Sequence, residues 1–251
     1  MRLRLLAWNL GHQTRLKPIP PEFVAAVSAL DPDVLLLNEY AHDDKMRRPF
    51  TEALAEIGLS HQMVSEHARR PPLTPGGAPR SNNQVLAASR RPIRRGDVRG
   101  PATADGGGVS NFLHVLVDGA EVELIGIRVP AYEDAASLRS YWDSFEDLMG
   151  SLRSRRVLLV GDLNADPRSQ RDPGGMTLSR LKAQGWQLPE PEGEWSHVSG
   201  ARIDHALASD SVPPLSARYV THIDGRVLVG MGKGFISDHA GLLVEFGTRP
   251  A

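Results

Sequence analysis

The chain has 251 residues, 41% of them hydrophobic and 24% charged, and a formal net charge of −1. This is the composition of a globular protein. A net charge near zero excludes a protein that binds nucleic acids non-specifically through an overall positive charge. The absence of cysteine excludes disulfides, thiolate zinc sites and cysteine nucleophiles.

The first part of the chain predicts two strands, each leading to a polar residue. Residues 3–9 alternate with the two-residue period of a strand that ends at Asn9. A helix with proline in its first turn is predicted over Pro20–Leu30. The apolar run Val34–Leu37 is typical of a strand covered on both faces, and Glu39 lies just beyond its end.

The middle of the chain predicts a second helix, a long loop and three strands. The helix covers Phe50–Ile57 and is closed by Gly58. Residues 66–83 are rich in proline, glycine and arginine and predict a loop, a common place for functional residues. Three strands follow, the last two as a hairpin: Val85–Ser89, Asn111–Val117 and Glu121–Val129.

The last part of the chain alternates helices and strands. Asp134–Leu152 carries a clear apolar stripe of helical period, and the buried strand Val157–Val160 leads at once into the polar sequence GDLN. A short helix is expected around Leu178 and Leu181. Further strands are expected near Arg202–Ala208, Arg218–His222 and Gly241–Phe246. Two packed sheets covered outside by helices would accommodate this pattern, in a single domain over residues 1–251.

Several predicted strands end in a carboxylate, a carboxamide or an imidazole. Such groups are unfavourable at the end of a core strand unless they reach water, a cation or a partner. On one edge of a sandwich, the carboxylates would repel one another, and a cation would relieve the repulsion. Oxygen donors without thiolate suit Mg²⁺, or alternatively Mn²⁺. The residues are Asn9, Glu39, Asp162, Asn164, Asp204, Asp238 and His239.

These side chains suit metal-assisted hydrolysis of a phosphoester. His239 has the intrinsic pKa of a general base, Asp204 is the candidate to orient its ring, and Asn164 can donate to a phosphoryl oxygen. Each motif alone has a simpler interpretation: GDLN as a strand with a turn, IDH as a half-exposed strand, SDH as a cap. Only the combination predicts a site.

The order and spacing of six segments resemble the endonuclease/exonuclease/phosphatase superfamily, which has the DNase I-like fold. The resemblance spans roughly residues 3–246, and GDLN followed by RIDH and a late SDH is its specific part. The segments are LLAWNLG (Leu5–Gly11), DVLLLNEY (Asp33–Tyr40), NNQVLAASRRPI (Asn82–Ile93), VLLVGDLNADP (Val157–Pro167), RIDHALAS (Arg202–Ser209) and SDHAGLLVEF (Ser237–Phe246).

The resemblance implies a four-layer α/β/β/α sandwich of two mixed β-sheets flanked by helices. It also implies a metal site in which Glu39 is a principal ligand and Asn9 and Asp238 lie near the ion.

The resemblance further implies a phosphate site beside that metal. Asp162 and Asn164 would contact the scissile phosphate and the nucleophilic water. His239, with Asp204 as its partner, would polarise water or hold the phosphate. Whether Asp162 or His239 is the general base stays open at this point.

Arg128 departs from the pattern of these relatives, many of which have histidine or tyrosine at this position. An arginine cannot act as a general acid at physiological pH, but its guanidinium can bind phosphate oxygens in a bidentate manner. Arg128 is therefore predicted to stabilise charge in the transition state. The alternative is an arginine at a strand end that pairs with a nearby acid. His205, on the opposite face of its strand from Asp204, and Trp8 are interpreted as structural.

The substrate is expected to contain phosphate, with nucleic acid first. The arginines at 69, 70, 80, 90, 91, 94, 95 and 99 face only Glu66 and Asp97, and this local excess of positive charge would suit a polyanion. A general arginine bias weakens the inference, because only four of the 29 basic residues are lysine. A phosphatase or phosphodiesterase acting on a small-molecule or lipid headgroup, such as inositol phosphate or a sphingomyelin-like lipid, is the first alternative. A non-catalytic binding module is the second.

Neither a signal peptide nor an apolar run long enough to cross a bilayer is seen, so a cytoplasmic protein without a membrane anchor is expected. A monomer is the default expectation.

Overall fold

The structure is a computed structural model that describes residues 2–11, 17–66, 84–101, 110–131, 134–213, 215–232 and 234–247. Its helices are α1 (Pro21–Leu30), α2 (Asp44–Glu56), α3 (Ala135–Leu152) and α4 (Pro173–Ala183). Its strands are β1 (Arg2–Asn9), β2 (Val34–Tyr40), β3 (His61–Val64), β4 (Gln84–Ser89), β5 (Ile93–Arg95), β6 (Phe112–Val117), β7 (Glu123–Arg128), β8 (Val157–Asp162), β9 (Asp204–Ala208), β10 (Leu215–Val220), β11 (His222–Ile223), β12 (Arg226–Val227) and β13 (Gly241–Gly247).

The strands form two mixed sheets and a small ribbon. The first sheet has the order β10-β13-β1-β2-β4-β3, and only β1 and β2 are parallel neighbours. The second has the order β5-β6-β7-β8-β9, and only β7 and β8 are parallel. Strands β11 and β12 pair separately. Each sheet therefore has one parallel pair in its interior.

The two sheets pack face to face, with β1 against β8 and β2 against β7. Successive side chains of a strand point to opposite faces, and β8 buries both. Leu158 and Val160 lie in the core that includes the first sheet, whereas Leu159 packs in a second cluster with the helical residues Trp142 and Phe145. A strand that is covered on both faces needs apolar side chains at successive positions, which explains the continuous apolar run at Val157–Val160.

Helices cover the outer face of each sheet. On the first sheet, the ring of Phe23 in α1 lies 5.1 Å from that of Trp8 and 5.9 Å from that of Phe50 in α2. On the second, α3 buries its predicted apolar stripe, and Asp134 caps it by accepting a hydrogen bond from the Ser137 backbone N–H. The architecture is the expected four-layer sandwich, and the fold prediction is confirmed.

The main errors concern short or edge elements. β3 and β5, the outermost strand of each sheet on one side, were not predicted; they are only three or four residues long and not fully buried, so they lack a clear apolar pattern. The second helix begins at Asp44 rather than Phe50, because Asp43 caps it by accepting from two backbone N–H groups. The ribbon β11–β12 was also missed. The predicted loop 66–83 lies, apart from Glu66, outside the described residues.

Strand β2 continues through Glu39 to Tyr40, beyond its predicted end at Leu37. Its pairing with β4 shifts between Leu37 and Tyr40, and Glu39 has a φ of 54°, in the left-handed region. This irregularity sits at the residue predicted to be the principal metal ligand, where the side chain is re-aimed relative to a regular strand. None of the helices in the described ranges is long and apolar enough to cross a membrane.

Candidate active site

Both parallel pairs end at the same edge of the sandwich. In the first sheet Asn9 pairs with Asn38, next to Glu39. In the second, Asp162 pairs with Arg128 on one side and with Asp204 on the other. A hydrogen bond of 2.8 Å from Asn9 Nδ2 to Asp162 Oδ2 joins the two sheets. We call this edge, marked by Asn9, Glu39, Arg128, Asp162 and Asp204, the site edge.

Asp162 is fixed by a backbone that only glycine allows before it. Gly161 has a φ of 145°, and a Cβ on it would lie 2.0 Å from the Ile127 carbonyl oxygen and 2.7 Å from Asn38 Oδ1. Asn38 is fully buried and accepts a hydrogen bond of 3.2 Å from the Asp162 backbone N–H. No site role was predicted for Asn38. The sequence feature that could have indicated a role is the polar side chain of Asn38 within the apolar run VLLLNEY, because a buried amide needs a hydrogen-bond partner.

The Asp162 carboxylate accepts hydrogen bonds from both sides. Its Oδ1 accepts from the Asn164 backbone N–H at 2.9 Å, and its Oδ2 accepts from Asn9 and, at 3.3 Å, from Asn164 Nδ2. Asn164 has a φ of 47° and donates a further bond of 2.7 Å to the Val129 carbonyl. Burial, reinforced by the negative charge of Asp204, raises the pKa of Asp162 to about 6.

His239 and Asp204 form a buried pair. The imidazole Nδ1–H donates to Asp204 Oδ2 at 2.9 Å, which leaves Nε2 as the nitrogen available for chemistry. Hydrogen bonds also hold the backbone of His239 in place. The His239 carbonyl accepts from Trp8 Nε1 at 2.8 Å, and the His239 N–H donates to Ser237 Oγ at 3.0 Å. Burial opposes charge on His239, but Asp204, and then Asp162, outweigh it and raise its pKa to about 10.

Arg128 contacts the site edge through a carboxylate of the other sheet. Its Nε donates to Glu39 Oε1 at 2.7 Å and lies 3.9 Å from Asp162 Oδ2. The side chains of Arg128 and Glu39 are 13% and 6% exposed. The alternative interpretation, an arginine pairing with a nearby acid, therefore describes the contact seen here. Because that acid is the predicted metal ligand, the guanidinium also lies within the site.

The third predicted metal residue, Asp238, lies against the end of β1. Gly11 has a φ of 62°, donates its N–H to Asn9 Oδ1 at 2.9 Å, and leaves a space in which a Cβ would lie 2.5 Å from Asp238 Oδ1. The absence of a side chain at Gly11 thus leaves room for the Asp238 carboxylate beside the residue that bonds Asn9. Asn9, Asp238 and Glu39 carry the oxygen donors that a hard divalent cation prefers, but Glu39 is not among the groups of closely spaced acids and histidines found in the described residues.

Two overlapping groups at the site have the donors for a cation. The possible ligand atoms of Asp162, Asp204 and His239 lie within 4.8 Å of one another, and so do those of His197, Asp238 and His239. His197 was not among the predicted site residues. It lies outside the motifs, in a loop without regular period, and only its separation of five residues from Arg202 in RIDH hinted at proximity.

His205 and Trp8 lie where a structural role requires. His205 is buried, and its Nε2 is 2.7 Å from the Arg202 carbonyl and 3.1 Å from the Ala165 carbonyl. Burial lowers the pKa of His205, so the ring is neutral and donates to these carbonyls. Trp8 is 1% exposed and packs under α1.

Two arginines of the arginine-rich stretch, Arg90 and Arg94, lie away from the site edge. Ser89 pairs with Val34, at the start of β2, and Arg94 pairs with Leu116, at the far end of β6 from Arg128. Arg90 donates to Asp31 at 2.5 Å. These positions are at the opposite end of the strands from the site edge, because antiparallel pairing reverses the chain direction. Arg69, Arg70 and Arg80 lie outside the described residues.

Comparison with known proteins gives one family. The sequence pattern of the Endonuclease/Exonuclease/phosphatase family matches residues 6–239. No curated protein matches the sequence significantly.

Similar solved structures share the fold at low identity. An endonuclease/exonuclease/phosphatase from Beutenbergia cavernae is 21% identical, with a TM-score of 0.69 over 98% of this chain and 72% of that chain. A 3'-5' exonuclease (NExo) from Neisseria meningitidis is 17% identical, with a TM-score of 0.65 over 97% and 99%. Sphingomyelinase C from Streptomyces griseocarneus is 15% identical, with a TM-score of 0.63 over 98% and 100%. With a family match over nearly its whole length and the sandwich described above, the chain belongs to the endonuclease/exonuclease/phosphatase family.

Proposed function

We propose that this protein is a divalent-metal-dependent phosphoester hydrolase with its active site at the site edge. The observation that carries the proposal is the hydrogen bond between Asn9 and Asp162 across the two sheets, next to the buried pair of His239 and Asp204. It brings together, from distant parts of one chain, acceptors for a cation, a candidate base and donors for an anion. We also propose a single domain that is active as a monomer, because one chain supplies every residue of the proposed site.

The cation would be held by Glu39, Asp238 and the side-chain oxygen of Asn9. When bound, Mg²⁺ or Mn²⁺ would polarise a phosphoryl oxygen and offset charge on the leaving oxygen. Arg128 already places one positive charge on Glu39 at 2.7 Å, which partly compensates the cluster of acids.

The remaining residues divide into a base and a set of donors. Asp162 is the proposed base for the attacking water, because hydrogen bonds hold its carboxylate in place and a pKa of about 6 suits proton transfer near neutrality. His239, with Nδ1 engaged by Asp204, would donate from Nε2 to a phosphoryl oxygen. Arg128 would supply further donors without adding negative charge, and Asn164 Nδ2 would exchange its 3.3 Å bond to Asp162 for one to the phosphate.

A nucleic acid remains one proposed substrate, as the family includes nucleases. Arg90 and Arg94 no longer support it, since they lie at the far end of the strands from the site edge.

A compact phosphoester such as a lipid headgroup is favoured by a different observation. Three of the exposed large apolar side chains lie on the segment that leads to Asp238: Val227 is 57% exposed, Met231 70% and Phe235 36%. Exposed apolar side chains on a segment that continues into a phosphate site suit a substrate with an apolar part.

The test is hydrolysis of bis-p-nitrophenyl phosphate by the purified protein with Mg²⁺ or Mn²⁺, followed by DNA, RNA, inositol phosphates and sphingomyelin. We expect turnover that EDTA abolishes. Failure to turn over any substrate with any divalent metal would favour the non-catalytic binding module. Nicking of plasmid that weakens steeply with salt would select the nuclease; release of phosphocholine or phosphate with nucleic acids left intact would select the compact phosphoester.

A further inference from the structure

His197 lies beside the proposed active site, although no motif contains it. Its backbone forms an isolated β-bridge with His239, and the next residue, Val198, donates its N–H to the Asp238 carbonyl at 3.0 Å. The rings of His197 and His239 meet edge to face, with centroids 4.8 Å apart and planes at 62°. Two imidazoles and the Asp238 carboxylate therefore share one part of the site.

The hydrogen bonds of His197 place its proton. Its Nδ1 accepts from the Ser199 backbone N–H at 3.2 Å and lies 2.7 Å from Ser199 Oγ. A nitrogen that accepts from a backbone N–H carries the lone pair, so the neutral ring keeps its hydrogen on Nε2. That Nε2 lies 3.7 Å from Asp238 Oδ2, beyond hydrogen-bonding distance. Among the described residues, no acceptor takes up this donor.

The same geometry argues against a metal ligand. To bind a cation through Nε2, the ring would have to move its proton to Nδ1, where Ser199 Oγ at 2.7 Å could accept it but the Ser199 N–H already points at the same nitrogen. Histidine ligands normally direct that second proton at an acceptor. An N–H donor is the form of His197 that its surroundings stabilise.

A hydrogen-bond donor at this position would offset the negative charge of the nearby carboxylates. Asp238, Glu39 and Asp162 repel an incoming phosphate, and Arg128 is bound to Glu39. The His197 side chain is 25% exposed and so is accessible from solvent. We propose that His197 is a further phosphate-binding residue, which donates its Nε2–H to a non-bridging phosphoryl oxygen next to His239. This inference rests on the proposed hydrolase function, whose phosphate it positions.

The test compares two substitutions at one position. His197→Phe keeps an aromatic ring against His239 but removes the donor, and His197→Gln restores an N–H at about the distance of Nε2. His222→Ala is the matched control, because that side chain is exposed and its ring, within the described part of the chain, bonds its neighbour Thr221. The measurements are kcat and KM for bis-p-nitrophenyl phosphate with Mg²⁺, the inhibition constant of inorganic phosphate, and the unfolding temperature.

We expect H197F to raise KM and the phosphate inhibition constant about tenfold or more, with H197Q within about threefold of wild type and H222A unchanged. Unchanged constants in a folded H197F would overturn the proposal. So would a rise in the Mg²⁺ concentration needed for activity, with phosphate inhibition unaltered, since that identifies a metal-binding role. Turnover by the wild-type protein tests the hydrolase function separately. If it is absent, calorimetric titration of inorganic phosphate into the Mg²⁺-containing protein and both variants still tests His197.

Discussion

Two buried histidines of this protein each lie between two carboxylates, yet their surroundings differ. At the site edge, His239 bonds Asp204 at 2.9 Å and has Asp162 nearby. In the second sheet, His114 has Nε2 2.9 Å from Glu123 Oε2 and Nδ1 3.7 Å from Asp97 Oδ1. The second group, which we call the His114 cluster (Asp97, His114, Glu123), resembles the site in composition alone.

An arginine accounts for the difference. Arg155 bonds Asp97 at 2.7 Å and Glu123 at 2.5 Å, so both carboxylates of the His114 cluster already have a cation. Burial, together with Arg155, lowers the pKa of His114 against the opposing pull of Glu123, and the Val98 N–H donates to Nδ1. The pKa of His239 is instead raised to about 10. A compensated cluster stabilises the fold, whereas one with excess negative charge attracts a cation or a proton.

The largest expected difference is in catalysis. Asp162→Asn removes the proposed base and should lower kcat/KM for bis-p-nitrophenyl phosphate by about 10²–10⁴-fold or more. Asp97→Asn is the matched change in the His114 cluster and should alter the rate less than about threefold. Equal effects of the two substitutions would show that the reactive cluster has been misplaced.

The second largest expected difference is in how the activity responds to metal removal. EDTA should abolish hydrolysis and Mg²⁺ or Mn²⁺ restore it, because in the proposed function the acids of the site edge need an external cation, whereas Arg155 neutralises those of the His114 cluster. Glu39→Gln should raise the Mg²⁺ concentration for half-maximal activity by about tenfold or more, as a charged ligand is lost. Glu123→Gln, in the compensated cluster, serves as control and should leave that concentration unchanged.

Arg128→Met should lower kcat about 10–100-fold, since a guanidinium that helps neutralise the transition state is lost. Arg128→Lys should recover only part of this, because an ammonium lacks the planar set of donors. Rate profiles against Mg²⁺ check the interpretation. If Arg128 serves only as the partner of Glu39, the Met variant will bind metal more tightly and keep its kcat.

The smallest effect is on stability, and it should have opposite signs for the two histidines. The folded pKa of His114 is lowered from 6.5, so the unfolded chain binds more protons, and this contribution is lost as pH falls below about 6.5. His239 has its pKa raised from 6.5 to about 10, so its contribution is complete below pH 6.5 and lost as pH rises toward 10.

Unfolding temperatures measured in EDTA at pH 5, 7 and 9 test this. The free energy of unfolding of wild type should exceed that of His114→Gln by about 1–3 kcal/mol near neutrality. This difference, and the difference in unfolding temperature that reports it, should shrink toward pH 5. The corresponding difference between wild type and His239→Gln should shrink toward pH 9. The same pH trend for both variants would contradict the comparison.

The sequence predicted the central fold and the residues brought together at the site edge, because both depend on local signals. Buried strands such as Val157–Val160 are continuous apolar runs, and a polar residue at the end of such a run has little reason to be there without a function.

What the sequence could not predict depends on pairing and register. Arg94 follows a site strand closely in sequence but lies far from the site, because β5 pairs with the distant end of β6. The contact between Arg128 and Glu39 crosses two sheets, and His197 approaches His239 only through an isolated bridge. No local period encodes such contacts.

The indole of Trp8 donates to the carbonyl of His239, a residue 231 positions later. Strand β1 also pairs along its length with β13. Contacts between residues so far apart in sequence form late in folding, because closing a long loop costs conformational entropy before the contact stabilises the chain. During synthesis, a ribosome-bound chain that has not yet released β13 would contain Asp162 and Asp204 but no His239 beside them. The proposed active site is thus completed only after β13 has paired with β1, and a nascent chain should be inactive until residues 241–247 have emerged.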